Sequence, residues 1–280
     1  MRFKIVSDSS SNVFELLEVS YASVPLKITT AEKEYVDNSN LDVLQMLTDL
    51  EGYKGRSGSA CPNVNDWLSA FGDAEQVFCV TITSGLSGSF NAATIAAQEY
   101  QKLHPKRKVF VLDTRSVGPE SELMIEKLKE LILSGSSFSD IVSQIKRYQK
   151  NTRLMFALES MHNLANNGRV SPLVAKVAGI LGVRPIGKAS EEGTLEMVSK
   201  VRGTERMLST LLEGMQKEGF AGGKVRIHHC QNQTAAEKLK TMLEERYSEL
   251  SIQIATTRGL CSFYAERGGL LIGFEVQTKE

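Results

Sequence analysis

The chain has 280 residues, with 33 Lys plus Arg against 33 Asp plus Glu and a formal net charge of zero. It carries no basic block and no basic patch interleaved with aromatics, which excludes nucleic acid as the main partner. No run approaches the ~18 consecutive apolar residues of a membrane span, and Met1-Arg2-Phe3-Lys4-Ile5-Val6-Ser7-Asp8 lacks the apolar stretch of a signal peptide, so a soluble, cytoplasmic protein is expected. The length predicts two domains, each with its own core. Cys61, Cys79, Cys230 and Cys261 are scattered, without a C-x-x-C pair or a histidine at ligand spacing. Buried thiols are expected, with no metal, cofactor or disulfide framework.

Arg2 to Val6 reads as a strand running into the polar loop Ser7 to Asn12, with a helical turn starting over Val13 to Leu17. Ligands of open parallel sheets gather beyond the carboxyl ends of the strands, which makes Asp8 and Ser9 secondary candidates. The same residues also fit as caps of the following helix. Tyr21 to Ile28 is a second strand with Pro25 near its start, and Glu34 to Asn38 is a hairpin arm and turn. Leu41 to Leu50 has helical spacing, with Asn40 as its cap. Gly55 to Asn63 is a small polar loop, and Asp66-Trp67-Leu68 opens another helix.

Gln76 to Ile82 is apolar and rich in β-branched residues, the signature of a buried parallel strand. It leads through Thr83-Ser84-Gly85-Leu86-Ser87-Gly88-Ser89 into an alanine-rich helix reaching Leu103. At such a junction the first helical N–H groups lack intrahelical partners and the dipole favours negative charge. Ser84, Ser87 and Ser89 with Gly85 and Gly88 therefore form a candidate anion cradle, although a plain helix cap uses the same serines. The loop before it, ending at Cys61-Pro62-Asn63, is placed to converge on the same ligand. A strand at Lys108 to Leu112 and helices at Pro119 to Ser134 and Ser139 to Lys150 complete an alternating α/β region, read as a doubly wound parallel-sheet domain over residues 1–153.

The pattern then changes. Leu154 to Leu158 is strand-like, Gly168 ends a helical turn, and Arg169 projects from the bend as an anion ligand or a surface ion pair. Ser171-Pro172 starts a helix, followed by apolar Ile180-Leu181. Next come Val183 to Gly187, a hairpin at Glu191 to Leu195, and Val198 to Gly203. A helix at Thr204 to Glu218, a strand at Lys224 to Cys230, a helix at Thr234 to Tyr247, and strands at Ser251 to Ala255 and Leu270 to Val276 follow. This mixture predicts an α+β domain with a mixed sheet over 154–280.

Two motifs nearly match. Gly182-Val183-Arg184-Pro185-Ile186-Gly187-Lys188-Ala189 lacks the final hydroxyl of a P-loop and sits in strand-like residues. Gly85-Leu86-Ser87-Gly88-Ser89 resembles a nucleophile elbow with serine in place of the last glycine. A serine hydrolase using Ser87 is thus an alternative; of His104, His162, His228 and His229, only the last two follow a strand in a position to act as its base.

Taken together, Ile5-Val6-Ser7-Asp8-Ser9, Val24-Pro25-Leu26, Thr83 to Ser89, Val111-Leu112-Asp113-Thr114-Arg115-Ser116-Val117, Asn167-Gly168-Arg169-Val170-Ser171 and Lys200-Val201-Arg202-Gly203 resemble the DegV family of bacterial fatty-acid-binding proteins, in order and over nearly the whole chain. The resemblance implies two domains enclosing an apolar tunnel for one long-chain fatty acid, with the carboxylate at their interface. It implies a fatty acid kinase as partner, no chemistry by the chain itself, and at most transient membrane contact. The implied carboxylate ligands are Ser59, Ser87, the Gly88 and Ser89 amides, Arg169 and Tyr264, with Asp8, Ser9 and Asn63 secondary and Arg202 facing the partner. Tyr264-Ala265-Glu266-Arg267-Gly268 stands where the family carries a histidine and T-G-P-G, which puts Glu266 beside the lipid carboxylate, an unfavourable pairing unless Arg267 or another cation offsets it.

Overall fold

The computed structural model describes residues 3–171 and 182–277. The helix expected from Ser171-Pro172 and the run Ile180-Leu181 lie outside the described residues. The first half contains strands β1 (Phe3–Asp8), β2 (Ser20–Val24), β3 (Lys27–Thr29), β4 (Glu34–Val36), β5 (Gly58–Ala60), β6 (Gln76–Thr81) and β7 (Lys108–Asp113). Its helices are α1 (Val43–Gly52), α2 (Val64–Phe71), α3 (Ser89–Leu103), α4 (Pro119–Leu133) and α5 (Phe138–Lys150).

Four strands pair in parallel in the order β2-β1-β6-β7. Successive strand residues face opposite sides. Ile5, Phe78 and Val80 therefore pack on Met124, Ile125 and Leu128 of α4 and Ile141 and Ile145 of α5. Val6, Val77 and Cys79 pack on Trp67 and Phe71 of α2 and Ala93, Ala96 and Ala97 of α3. Helices on both faces make this the expected doubly wound sheet.

Three local expectations are corrected. The strand over Tyr21 to Ile28 breaks at Pro25-Leu26, where Leu26 gives its N–H to Ser9 Oγ at 3.0 Å and β3 leaves for a separate antiparallel sheet, β4-β3-β5. Val13 to Leu17 is not helical. Only Ser9–Ser11 forms a 3-10 turn, stopped by Asn12 at φ 63°. Helix α1 starts at Val43, and its cap is Asp42, whose side chain accepts from Gln45 N–H at 2.9 Å, in place of Asn40.

The second half contains β8 (Thr152–Ala157), β9 (Val183–Ala189), β10 (Leu195–Arg202), β11 (Gly223–His229), β12 (Leu250–Thr256) and β13 (Leu270–Glu275). Its helices are α6 (His162–Asn166), α7 (Thr204–Lys217), α8 (Gln233–Glu244) and α9 (Gly259–Ala265). The strands form one mixed sheet in the order β10-β9-β8-β13-β11-β12. On one face Met155, Ala157, Ile227 and Ile272 meet Leu208 and Leu211 of α7 and Leu239 and Leu243 of α8. On the other, Leu154, Phe156, Leu158 and Leu271 look toward the first half. The near P-loop is strand β9, and its Lys188 pairs with Glu218 at 2.8 Å. Among the described residues no helix is long and apolar enough to cross a membrane.

Helix α4 joins the halves. Its Glu122, Glu126 and Glu130 pair in turn with His228, Arg226 and Lys224 of β11, at 2.6 Å for the first two. Asn12 Oδ1 accepts from Arg258 N–H, so its Nδ2 donates to His228 Nδ1 at 2.7 Å and leaves Nε2 to donate to Glu122. At the start of α4, buried Glu120 accepts from Thr152 O–H at 2.8 Å. Burial pushes the Glu120 carboxyl up from 4.5 to about 7. The folded chain then binds this proton more tightly than the unfolded chain, so stability falls as pH rises from 4.5 to about 7. Glu120→Gln keeps an acceptor for Thr152 and removes the slope. Urea midpoints are expected to match wild type near pH 4 and to exceed it at pH 8 by on the order of 2 kcal/mol.

Candidate functional site

Strands β1 and β6 lie side by side at the point where the strand order reverses, and a crevice opens there beyond their carboxyl ends. The loop leaving β6 toward α3 is fixed from three sides. Buried Asp8, at the end of β1, accepts from Ile82 N–H at 2.9 Å and Ser89 O–H at 2.6 Å. Asp113, at the end of β7, accepts from Ser84 N–H at 3.0 Å and from the Ser84 hydroxyl. The Thr83 hydroxyl donates to Gly193 O at 2.8 Å in the β9–β10 turn. Gly193 has φ +79°, and a Cβ there would overlap Thr83 Oγ1, so this brace requires glycine. Burial raises the Asp8 carboxyl above its usual range despite hydrogen bonds that favour the charged form.

This loop forms one rim of a cavity of about 330 Å³ enclosed by both halves, within the ~300–1,000 Å³ range of small-molecule sites. Most of the wall is aliphatic, including Leu26 and Ile82 from the first half and Leu154, Leu158, Leu195 and Leu271 from the second. The polar atoms gather at one end, on Ser59 of β5, Ser87, Gly88, Arg169 and Tyr264 of α9. Among the described residues Arg169 is the only charged one of the lining.

Local chain geometry aims each of these groups. Gly168, at φ +71°, ends α6 as expected, and the next residue turns into the cavity with Arg169 Nε donating to Leu86 O at 3.2 Å. The Arg169 guanidinium lies 6.0 Å from the Tyr264 ring centre. Ser87 Oγ accepts from Ser89 N–H at 3.3 Å, which leaves its own hydrogen to point elsewhere. The Tyr264 and Ser59 hydroxyls are 2.7 Å apart. Helix α9 is anchored by Asp37, whose two oxygens accept from Gly259 N–H at 2.8 Å and Leu260 N–H at 2.9 Å. Burial pushes the Asp37 carboxyl up to about 6.

Thus Ser59, Ser87, Gly88, Arg169 and Tyr264 come together at one end of the cavity, and the other candidates are engaged elsewhere. Ser89 uses its hydroxyl on Asp8 and its amide on Ser87, and Ser9 accepts from Leu26. Asn63 caps α2 in a reciprocal pair with Asp66. None of Asp8, Ser9, Asn63 or Ser89 lines the cavity. Arg202 is exposed at the end of β10. Cys61 departs from the expectation of buried thiols: it is exposed at the cavity rim, while Cys261, also in the lining, is buried. Sequence reasoning missed α9, Cys261 and the anchoring roles of Asp37 and Asp113. Among the described residues no histidine lines the cavity, and His228 is held between Asn12 and Glu122, so the serine-hydrolase alternative finds no base there. Among the described residues no cluster of His, Cys, Asp and Glu has the makeup of a metal site.

A model of the uncharacterised DegV family matches residues 2–276. The chain belongs to the DegV family. A DegV domain-containing protein of Streptococcus pneumoniae is 41% identical over 280 residues, covering 99% of this chain and 100% of its own. Two crystal structures are similar throughout. A DegV family protein from Eubacterium eligens loaded with heptadecanoic acid is 42% identical with a TM-score of 0.97, covering 98% of this chain and 100% of its own. The Streptococcus pneumoniae Fatty Acid Kinase (Fak) B3 protein loaded with linoleic acid is 40% identical with a TM-score of 0.97, covering 99% of this chain and 100% of its own.

Within this DegV chain, the segment after Tyr264 does not crowd the polar end with charge. Glu266, at φ +54°, turns away and accepts from Asn163 N–H at 3.1 Å, and Arg267 pairs with Glu51 at 2.5 Å. Neither lines the cavity, which corrects the expectation for Glu266. Tyr264→Phe deletes one neutral hydrogen bond and leaves the ring in place. It is expected to lower unfolding free energy by about 1 kcal/mol, read from urea midpoints.

Proposed function

We propose that this chain binds one long-chain fatty acid between its parts before and after residue 153, acting as two domains, with the carboxylate at Ser59, Ser87, Gly88, Arg169 and Tyr264. The observation that carries this reading is a described lining that is largely aliphatic, with Ser59 and Arg169 both brought against Tyr264. An acyl chain needs the first and a carboxylate the second. The Ser87 hydroxyl, backed by the Ser89 amide, donates to one oxygen. Ser59 and Tyr264 share one hydrogen between them and have one left for the ligand. Arg169 supplies the compensating charge.

The chain performs no chemistry in this reading. It carries the lipid to a fatty acid kinase, with Arg202 on the partner-facing surface. The fatty-acid-loaded neighbours, one of them a fatty acid kinase B protein, support the assignment.

The direct test is mass spectrometry of an organic extract of the purified protein. A stoichiometric fatty acid is expected, and protein that carries none and takes none up would sink the reading. Ser87→Ala removes one hydrogen bond to a charged group, worth about 1.5–3 kcal/mol. A ten- to hundred-fold rise in Kd is expected in a displacement titration with a fluorescent fatty acid.

A further inference from the structure

Most of the cavity wall is leucine, isoleucine and valine, and one large ring interrupts it. Among the described residues Phe156 is the only aromatic residue of the lining besides Tyr264. Leu154, Phe156 and Leu158 face the cavity from alternate positions of β8, about 6.7 Å apart at each step, so the ring stands midway along the wall.

The ring's direction is set by its neighbour. Phe156 pairs with Gly187 across β8 and β9, and a Cβ on Gly187 would overlap Phe156 Cζ and lie 2.7 Å from Cε2. The tip of the ring therefore occupies the volume that any other residue's side chain would take. On the opposite side, β10 slips register between Met197 and Ser199, where Met197 pairs with Gly187. The Glu196 carbonyl oxygen is thereby brought against the same point. A glycine inside a strand beside a bulge marks such a close approach. The result is a slot in the sheet that holds the ring sideways, and the ring in turn closes the slot to anything else in the cavity.

We propose that Phe156, seated on Gly187, determines which acyl chains this protein accepts: the ring plugs a recess over β9 and so limits the length of chain that the cavity takes up. This rests on the fatty-acid reading above. A shorter side chain at 156 would open the recess to the ligand, and a larger one would push back into the acyl track.

The test loads wild type, Phe156→Leu and Phe156→Trp with an equimolar mixture of saturated fatty acids graded by two carbons, then identifies the bound acids by mass spectrometry. The readout is the ratio of longer to shorter acid within one sample, so a uniform loss of affinity cancels. Phe156→Leu is expected to shift the ratio toward the longer acid by roughly tenfold for a two-carbon step, the effect of burying two more methylene groups. Phe156→Trp shifts it the other way. Phe156→Met, adaptable and unbranched, replaces the leucine variant if that variant does not fold, and the same direction is expected. Variants that bind lipid with the wild-type ratio overturn the role of Phe156 and leave the fatty-acid reading standing. Wild type that takes up no acid from the mixture overturns both.

Discussion

Strand β8 must satisfy two packing surfaces at once, and the cavity is the consequence. Its residues alternate in direction, and α7 and α8 cover only the row containing Met155 and Ala157. The row of Leu154, Phe156 and Leu158 is left to the far side, where α1, α9 and the parallel-sheet half close over it without filling it. A chain of methylene groups laid along that row meets aliphatic side chains over its length.

The polar end is built by carboxylates that never reach the ligand. Asp8, Asp113 and Asp37 each sit at or just beyond the end of a strand and accept backbone N–H groups from the segment that carries a site residue: Ile82 and Ser84 for the Ser87 loop, Gly259 and Leu260 for the Tyr264 helix. Their charge is engaged with donors belonging to the protein, so the hydroxyls in front of them keep hydrogens for an acceptor.

The parallel sheet, its helices and most of the mixed sheet were legible because each element carries its own periodicity. The run Gln76 to Ile82 and the alanine-rich helix after it lie where their pattern places them. Helix α9 was not legible. Its first amides are satisfied by Asp37, 222 residues earlier in the chain, so no capping signal exists near Gly259. The same kind of distance hid the role of Asp113. Asn63 and Ser89 were ambiguous in sequence because a polar residue before a helix serves equally as a cap or a ligand contact. Their hydrogen bonds are to the protein itself. Tyr264 could be placed only through the family pattern, and its partner Ser59 lies 205 residues away.

The three side-chain pairs between α4 and β11 have a geometric consequence. Glu122, Glu126 and Glu130 are spaced by one helical step of four residues, about 6 Å along the axis, while Lys224, Arg226 and His228 are spaced by two strand residues, about 6.7 Å. The two scales run antiparallel and stay in phase over three marks, as on a vernier, and a shift by one mark in either direction leaves a side chain without its partner at each end. The halves therefore have a single docking position. Because the cavity walls come from both halves, that alignment makes the bore a fixed dimension of the molecule.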